Sequence, residues 1–334
     1  MKLGSSDLAR LQMLSRQAAT ARGAMDRAAL EMTTFQKASR FEATGGDLTR
    51  LFALERALER NAVFSDAIAL GGMRLDVMQE AFGRLLAPTE TLMLDLSAAA
   101  GTGDLSAGRL HAATARRAFA DAVGTLNMRV SGQALFAGAA TDGAALAPAA
   151  DILADLDGRA AGAATAAEAA AAIEAYFAPG GGFFTAAWTG SDTPLAPAEI
   201  GEGTRLDWQV RATDPEIVAT LRAHALVAVV AGGAFAGDGA AQRDLIAAAG
   251  ARMLEARDEM LALRARTGVS QNAAERAKAE RTGERETFEL ARARMLAVDE
   301  AEAASTYQAR KTQLDALYRV MANLSDLRFS NYMR

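Results

Sequence analysis

Near the amino end, Leu11, Leu14, Ala18, Ala21, Met25, Ala28, Met32 and Phe35 follow one another at alternating spacings of three and four. That spacing places all eight on one stripe of an α-helix. Arg16, Gln17, Arg22, Asp26, Arg27 and Glu31 lie between them, mostly on the opposite side. A helix from about Ser6 to Ala38 is roughly 50 Å long at 1.5 Å per residue, and so narrow a stripe needs a partner helix. The far end of the chain has a matching stripe: Leu314, Leu317, Met321 and Leu324, with Tyr307 in phase upstream. The simplest solution folds the chain back so that the first and last helices pack together. One side of each seam then stays open, and lateral association of copies is expected.

Between these ends the reading is helix, interruption, helix. Thr44, Gly45, Gly46 and Asp47 break the first period, and Asp47 is a candidate cap for the next helix. A second stretch runs from Leu48 to about Ala98, with Leu51, Leu58, Ala62, Ile68, Leu75, Phe82, Leu86, Met93 and Leu96 near one face. Pro88 is expected to kink it or end its first half. Gly101–Gly103 reads as a turn, and Asp104 opens a helix through Phe119, Ala122, Leu126 and Val130. Beyond Gly239, Leu245, Ala249, Met253, Ala256, Met260 and Leu263 form another seam up to an expected break at Thr267-Gly268.

The middle is different in kind. Five of the six prolines and both tryptophans, Trp188 and Trp208, fall between positions 148 and 215. Phe183–Thr189 is a plausible strand, and Arg205–Arg211 alternates Leu206, Trp208 and Val210 with Asp207 and Gln209, the period-two mark of a half-buried strand. Ala-rich helices are predicted at Thr165–Phe177 and Asp214–Val230. The fold class is therefore mainly α: an elongated antiparallel helical bundle or coiled coil of the N- and C-terminal segments, with a small inserted α+β domain. The expected domains are 1–42 with 296–334, 43–142 with 239–295, and the insert 143–238.

Composition narrows the chemistry. There is no cysteine, which removes thiolate nucleophiles, iron-sulfur clusters and Cys-based zinc sites. His111 and His224 stand far apart, so no two-His metal site is expected, and the sequence suggests no catalytic, cofactor or metal residues. His111, beside Arg109 and Arg116, reads as a surface or interface residue, and His224 as packing. Gly180-Gly181-Gly182 lacks the lysine and strand context of a phosphate cradle. Asp299, Glu300 and Glu302 read as a solvated helix face, and the two tryptophans as core of a small sheet rather than a carbohydrate site. Met13, Met25, Met32, Met295 and Met321 lie on or beside seams, where soft side chains either fill a core or adapt to more than one neighbour. A net charge of −5 disfavours a nucleic-acid partner. The amino end carries Lys2, Asp7 and Arg10 but no apolar core of a cleavable signal, and the apolar run Ala225–Gly237 is too short to span a bilayer, so no membrane insertion is expected.

Several local runs resemble the flagellin-like family of the bacterial flagellum, in particular its hook-filament junction members. Tyr307-Gln308-Ala309, then Leu314, Leu317, Leu324-Ser325-Asp326-Leu327 and the end Asn331-Tyr332-Met333-Arg334 are similar to the family's closing helix. Ala134-Leu135-Phe136-Ala137-Gly138 with Thr141 and Asp142 looks like its "LFAG…TD" turn, and Gly46-Asp47-Leu48 resembles the loop before its second helix. The likeness covers about 1–142 and 240–334, while Thr33–Arg40 departs from the family's usual loop. It implies a structural, non-enzymatic subunit, exported without a cleavable signal and assembled in the extracellular flagellum. Its implied partners are other copies in a ring, hook-associated protein 1, flagellin and a cytosolic export chaperone. The assembly residues on this reading are Leu11, Leu14, Met25, Met32, Phe35, Leu314, Leu317, Met321 and Leu324. The alternatives are a filament flagellin and a soluble coiled-coil signalling or scaffold protein.

Overall fold

The structure, a computed structural model, describes residues 5–332, with side chains described for residue 9 and for 12–323. The described residues are mainly helical: α1 (Ser5–Thr34), α2 (Arg40–Ala43), α3 (Thr49–Thr102), α4 (Leu105–Leu126), α5 (Ala149–Ala161), α6 (Ala166–Phe177), α7 (Pro215–Ala231), α8 (Gly239–Leu296) and α9 (Glu300–Tyr332). Two small antiparallel ribbons accompany them, β1 (Arg129–Val130) with β2 (Gln133–Ala134), and β3 (Ala198–Gly201) with β4 (Thr204–Leu206). Contacts divide the chain into two compact units, one of 1–62 with 282–334 and the other of 63–281. The long helices α3 and α8 contribute to both.

In the first unit α1 packs along α9. Its buried apolar residues, among those described, are mostly small: Ala18, Ala21, Ala28 and Ala303, joined by Leu51, Leu296 and Leu314. Small side chains let the two backbones approach closely but remove little apolar area from water. The α1–α2 and α8–α9 connections are tied to each other. Lys37 N–H donates to Leu296 O at 2.8 Å and Val298 N–H to Phe35 O at 3.1 Å, flanking a bridge between Gln36 and Ala297.

The second unit holds the hydrophobic core. Phe82, Phe119, Phe136, Tyr176 and Phe183 are fully buried there, within one cluster that takes in α3, α4, α7, α8 and the 143–238 segment. The predicted α8 seam is buried throughout, from Leu245 and Ala249 to Met260 and Leu263. α7 packs on α4, while Arg116 of α4 grips the Asp157 carboxylate of α5 with two bonds of 2.9 and 2.7 Å.

Several local expectations are corrected. Pro88 lies inside α3 without ending it: Leu85, Leu86, Leu92 and Leu96 are buried on both sides, and their packing outweighs the roughly 3 kcal/mol cost of a helical proline. Thr267-Gly268 is no break either, because Leu263, Thr267 and Ala274 are buried across it, against a glycine cost of about 1 kcal/mol. Phe183–Ala187 is a π-helical turn rather than a strand, closed by Trp188 N–H donating to Phe183 O at 2.8 Å. Gly181 lets the chain fold back onto the end of α6, where a Cβ would strike the Ala175 carbonyl. That fold-back seats Phe183 against Phe177, ring centres 5.2 Å apart. The strand predicted at Arg205–Arg211 stops at Leu206, since the Asp207 carboxylate accepts the Gln209 N–H at 2.9 Å and diverts the backbone. The burial alternation survives: Leu206 and Trp208 are buried, Asp207 and Gln209 exposed.

Candidate assembly surface

The expected seam residues divide into three groups. Leu314 is buried, and Leu14, Met25, Met32, Leu317 and Met321 are half-buried along the α1 and α9 helices. The side chains of Leu11 and Leu324 lie outside the described residues, as does the end Met333-Arg334. Phe35 is past the helix, not within it: α1 stops at Thr34, and Phe35 sits at φ 53° with 47% of its surface exposed. A positive φ costs a bulky residue energy, and here the two strand-like hydrogen bonds to the α8–α9 connection hold it. The spacing of three from Met32 places Phe35 in phase, but spacing cannot register where a helix ends.

Side-chain caps set the next two helix starts. Ser39 Oγ accepts the Glu42 N–H to start α2, and Asp47 Oδ1 accepts the Thr49 N–H ahead of α3. Gly45 and Gly46 turn the chain between them with φ of 63° and 94°. Asp299 is more than a member of a solvated face. Its Oδ1 accepts from Ala301 and Glu302 N–H at 2.9 and 3.0 Å, which caps α9, and Glu300 and Glu302 complement the helix dipole.

A groove of about 580 Å³ runs between α3 and α8 in this same unit. It is lined by Arg50, Ala53, Leu54 and Ala57 of α3 and by Phe288, Ala291, Arg294 and Met295 of α8. On α3 the lining residues recur at three and four, forming a face separate from the one that carries buried Leu51. Sequence periodicity marks the strongest stripe and passes over this second one, because alanines and a single leucine give little periodic signal. Exposed Met13, Leu30, Phe41 and Phe52 add to the uncovered apolar surface of the unit.

Three polar side chains of the second unit are held by local partners and packing. His224 is fully buried, its Nε2 2.9 Å from Thr89 Oγ1, and that hydroxyl already donates to Leu85 O. The histidine therefore donates through Nε2, and its Nδ1 has no partner. Burial pushes its pKa down to about 4. His111 Nδ1 lies 3.4 Å from Asp95 Oδ2 near the surface. Arg74 is buried with its Nη1 donating to Gln133 Oε1 at 3.2 Å and its guanidinium 5.9 Å from the Trp208 ring. Desolvation lowers its pKa. No sequence period signals that placement.

Among the described residues, no group of three His, Asp or Glu is placed to hold a metal ion, and no helix is long and apolar enough to cross a membrane. Comparison with protein-family models finds none that matches the chain, and no curated protein matches it.

Proposed function

We propose that the chain is a structural subunit of the bacterial flagellum, a hook-filament junction protein of the hook-associated protein 3 kind. The observation that carries this reading is the packing of α1 along α9, which joins the two chain ends through a seam of small residues and leaves much apolar surface uncovered. A subunit that completes its fold against neighbours needs such ends. The terminal helices bundle as coiled coils with those of neighbouring copies in a ring. The chain passes through the type III export apparatus with help from a cytosolic chaperone, and meets hook-associated protein 1 on one side and flagellin on the other.

Fractionation tests the reading: the chain is expected in sheared flagella, at the base of the filament. Its presence along the whole filament assigns it as flagellin, and a defined cytoplasmic dimer assigns it as a soluble scaffold. Removing Leu314–Arg334 is expected to abolish filament growth and motility while the second unit stays folded. Normal motility of that truncation overturns the proposal.

A further inference from the structure

We propose that the second unit binds a carboxylate on a short alkyl chain at Arg74, in the cavity beside Trp208. Arg74 of α3 is 3% exposed, and its guanidinium meets no carboxylate among the described residues. Its contacts are neutral: Nη1 donates to Gln133 Oε1, the Trp208 ring centre lies 5.9 Å away, and Nε is buried without an acceptor. An aromatic face and one amide oxygen offset only part of the cost of taking a charge out of water, and buried charges are ordinarily paired. Arg74 is the cationic half of an ion pair whose other half lies outside the chain.

Trp208 presents a second unmet donor. Just past β4 it drops against α3 with 8% of its surface exposed. Its six-membered ring sits on Gly71, where a Cβ would lie 2.5 Å from Cζ3. That seat puts the pyrrole edge on the far side of the indole, and Nε1 is buried there with no acceptor. Unmet buried donors cost about 1–3 kcal/mol each, more where one is charged. A group with two acceptor oxygens and a negative charge is the chemistry that both side chains lack.

Space for that group adjoins them. A cavity of about 110 Å³ is lined by Trp208 together with apolar Leu75 and Val210 and polar Asp207, Arg266 and Ser270. It has room for several waters or one small organic ion. Arg266 is committed to Glu216 at 2.8 Å, so the uncompensated cation next to the cavity is Arg74. Leu75 and Val210 suit a short alkyl chain, and the Asp207 carboxylate in the lining disfavours a dianion such as phosphate. Both orphaned nitrogens are covered from solvent, so the carboxylate reaches them as the Trp208 segment shifts. Residues 207–214 belong to no helix or strand, which leaves that segment free of ladder or helical bonds.

The test follows thermal unfolding of the full-length chain with propionate, against propionamide, phosphate and chloride at equal ionic strength. Propionate is expected to raise the melting temperature of the second unit saturably, with a Kd of about 1 mM, and the neutral amide to leave it unmoved. In a W188F background Trp208 is the sole tryptophan, and its fluorescence is expected to change with the same Kd. R74M removes a buried unpaired charge, so it is expected to fold at least as stably as wild type and to weaken binding about tenfold or more. W208F keeps an aromatic ring beside Arg74 but loses the N–H, and is expected to weaken binding about fivefold. A blocked glutamyl peptide separates the two sources of the group: a response to propionate alone assigns a free acid, and a response to both assigns an acidic side chain of a partner. Absence of a saturable response to propionate, an equal response to phosphate or chloride, or wild-type affinity in W208F overturns the proposal.

Discussion

The two units are built from the same kind of helix and differ in what closes them. Around Phe82, Phe119 and Phe136 the second unit wraps several helices about large side chains, which are fully buried there. The first unit brings α1 and α9 together over alanines and leaves Met13, Leu30, Phe35, Phe41 and Phe52 exposed. Stability scales with buried apolar area, so the second unit draws more of it from its own core than the first unit does.

The sharpest way to break this contrast is to cut into each side. Phe136→Ala should cost the second unit about 4 kcal/mol, the usual range for emptying an aromatic site in a packed core. Leu314→Ala should cost only about 2 kcal/mol, since the site is a thin seam open to water nearby, and should leave the melting of the second unit unmoved. Chemical denaturation followed by tryptophan fluorescence reads the second unit, where Trp188 and Trp208 both reside. If Leu314→Ala shifts that transition as far as Phe136→Ala, the units are not separate in stability.

Acid should also separate the units. The folded-state pKa of His224, about 4, lies below the ordinary histidine value near 6.5, so the unfolded chain binds the proton more readily in between. The associated stability is fully present above about pH 6.5 and is lost as pH falls toward 4, by about 3 kcal/mol in all. His224→Met should flatten that slope in thermal melts of the second unit between pH 7 and pH 4, and an unchanged slope would contradict the assignment. The smallest effect belongs to a cap. Asp299→Ala should cost about 1 kcal/mol, visible as faster amide hydrogen exchange at the start of α9 and nowhere in the second unit.

Helices with a full apolar stripe were readable from residue spacing alone. The α8 seam from Leu245 to Leu263 is buried as its period requires, and Asp104 and Thr165 cap the helices they precede. The groove was not readable: Ala53, Leu54 and Ala57 acquire meaning only when Phe288 and Met295, more than two hundred residues later, are set opposite them.

Local chemistry along the chain determined where apolar faces lie and where many helices begin, because side-chain period and capping act within one or two turns. Packing alone decided that α3 continues through Pro88 and α8 through Gly268, that Phe183–Ala187 winds as a π turn, and that Arg74 is buried beside Trp208. In each case the outcome depends on area buried between residues distant in sequence, and that energy exceeds the local preference it overrides.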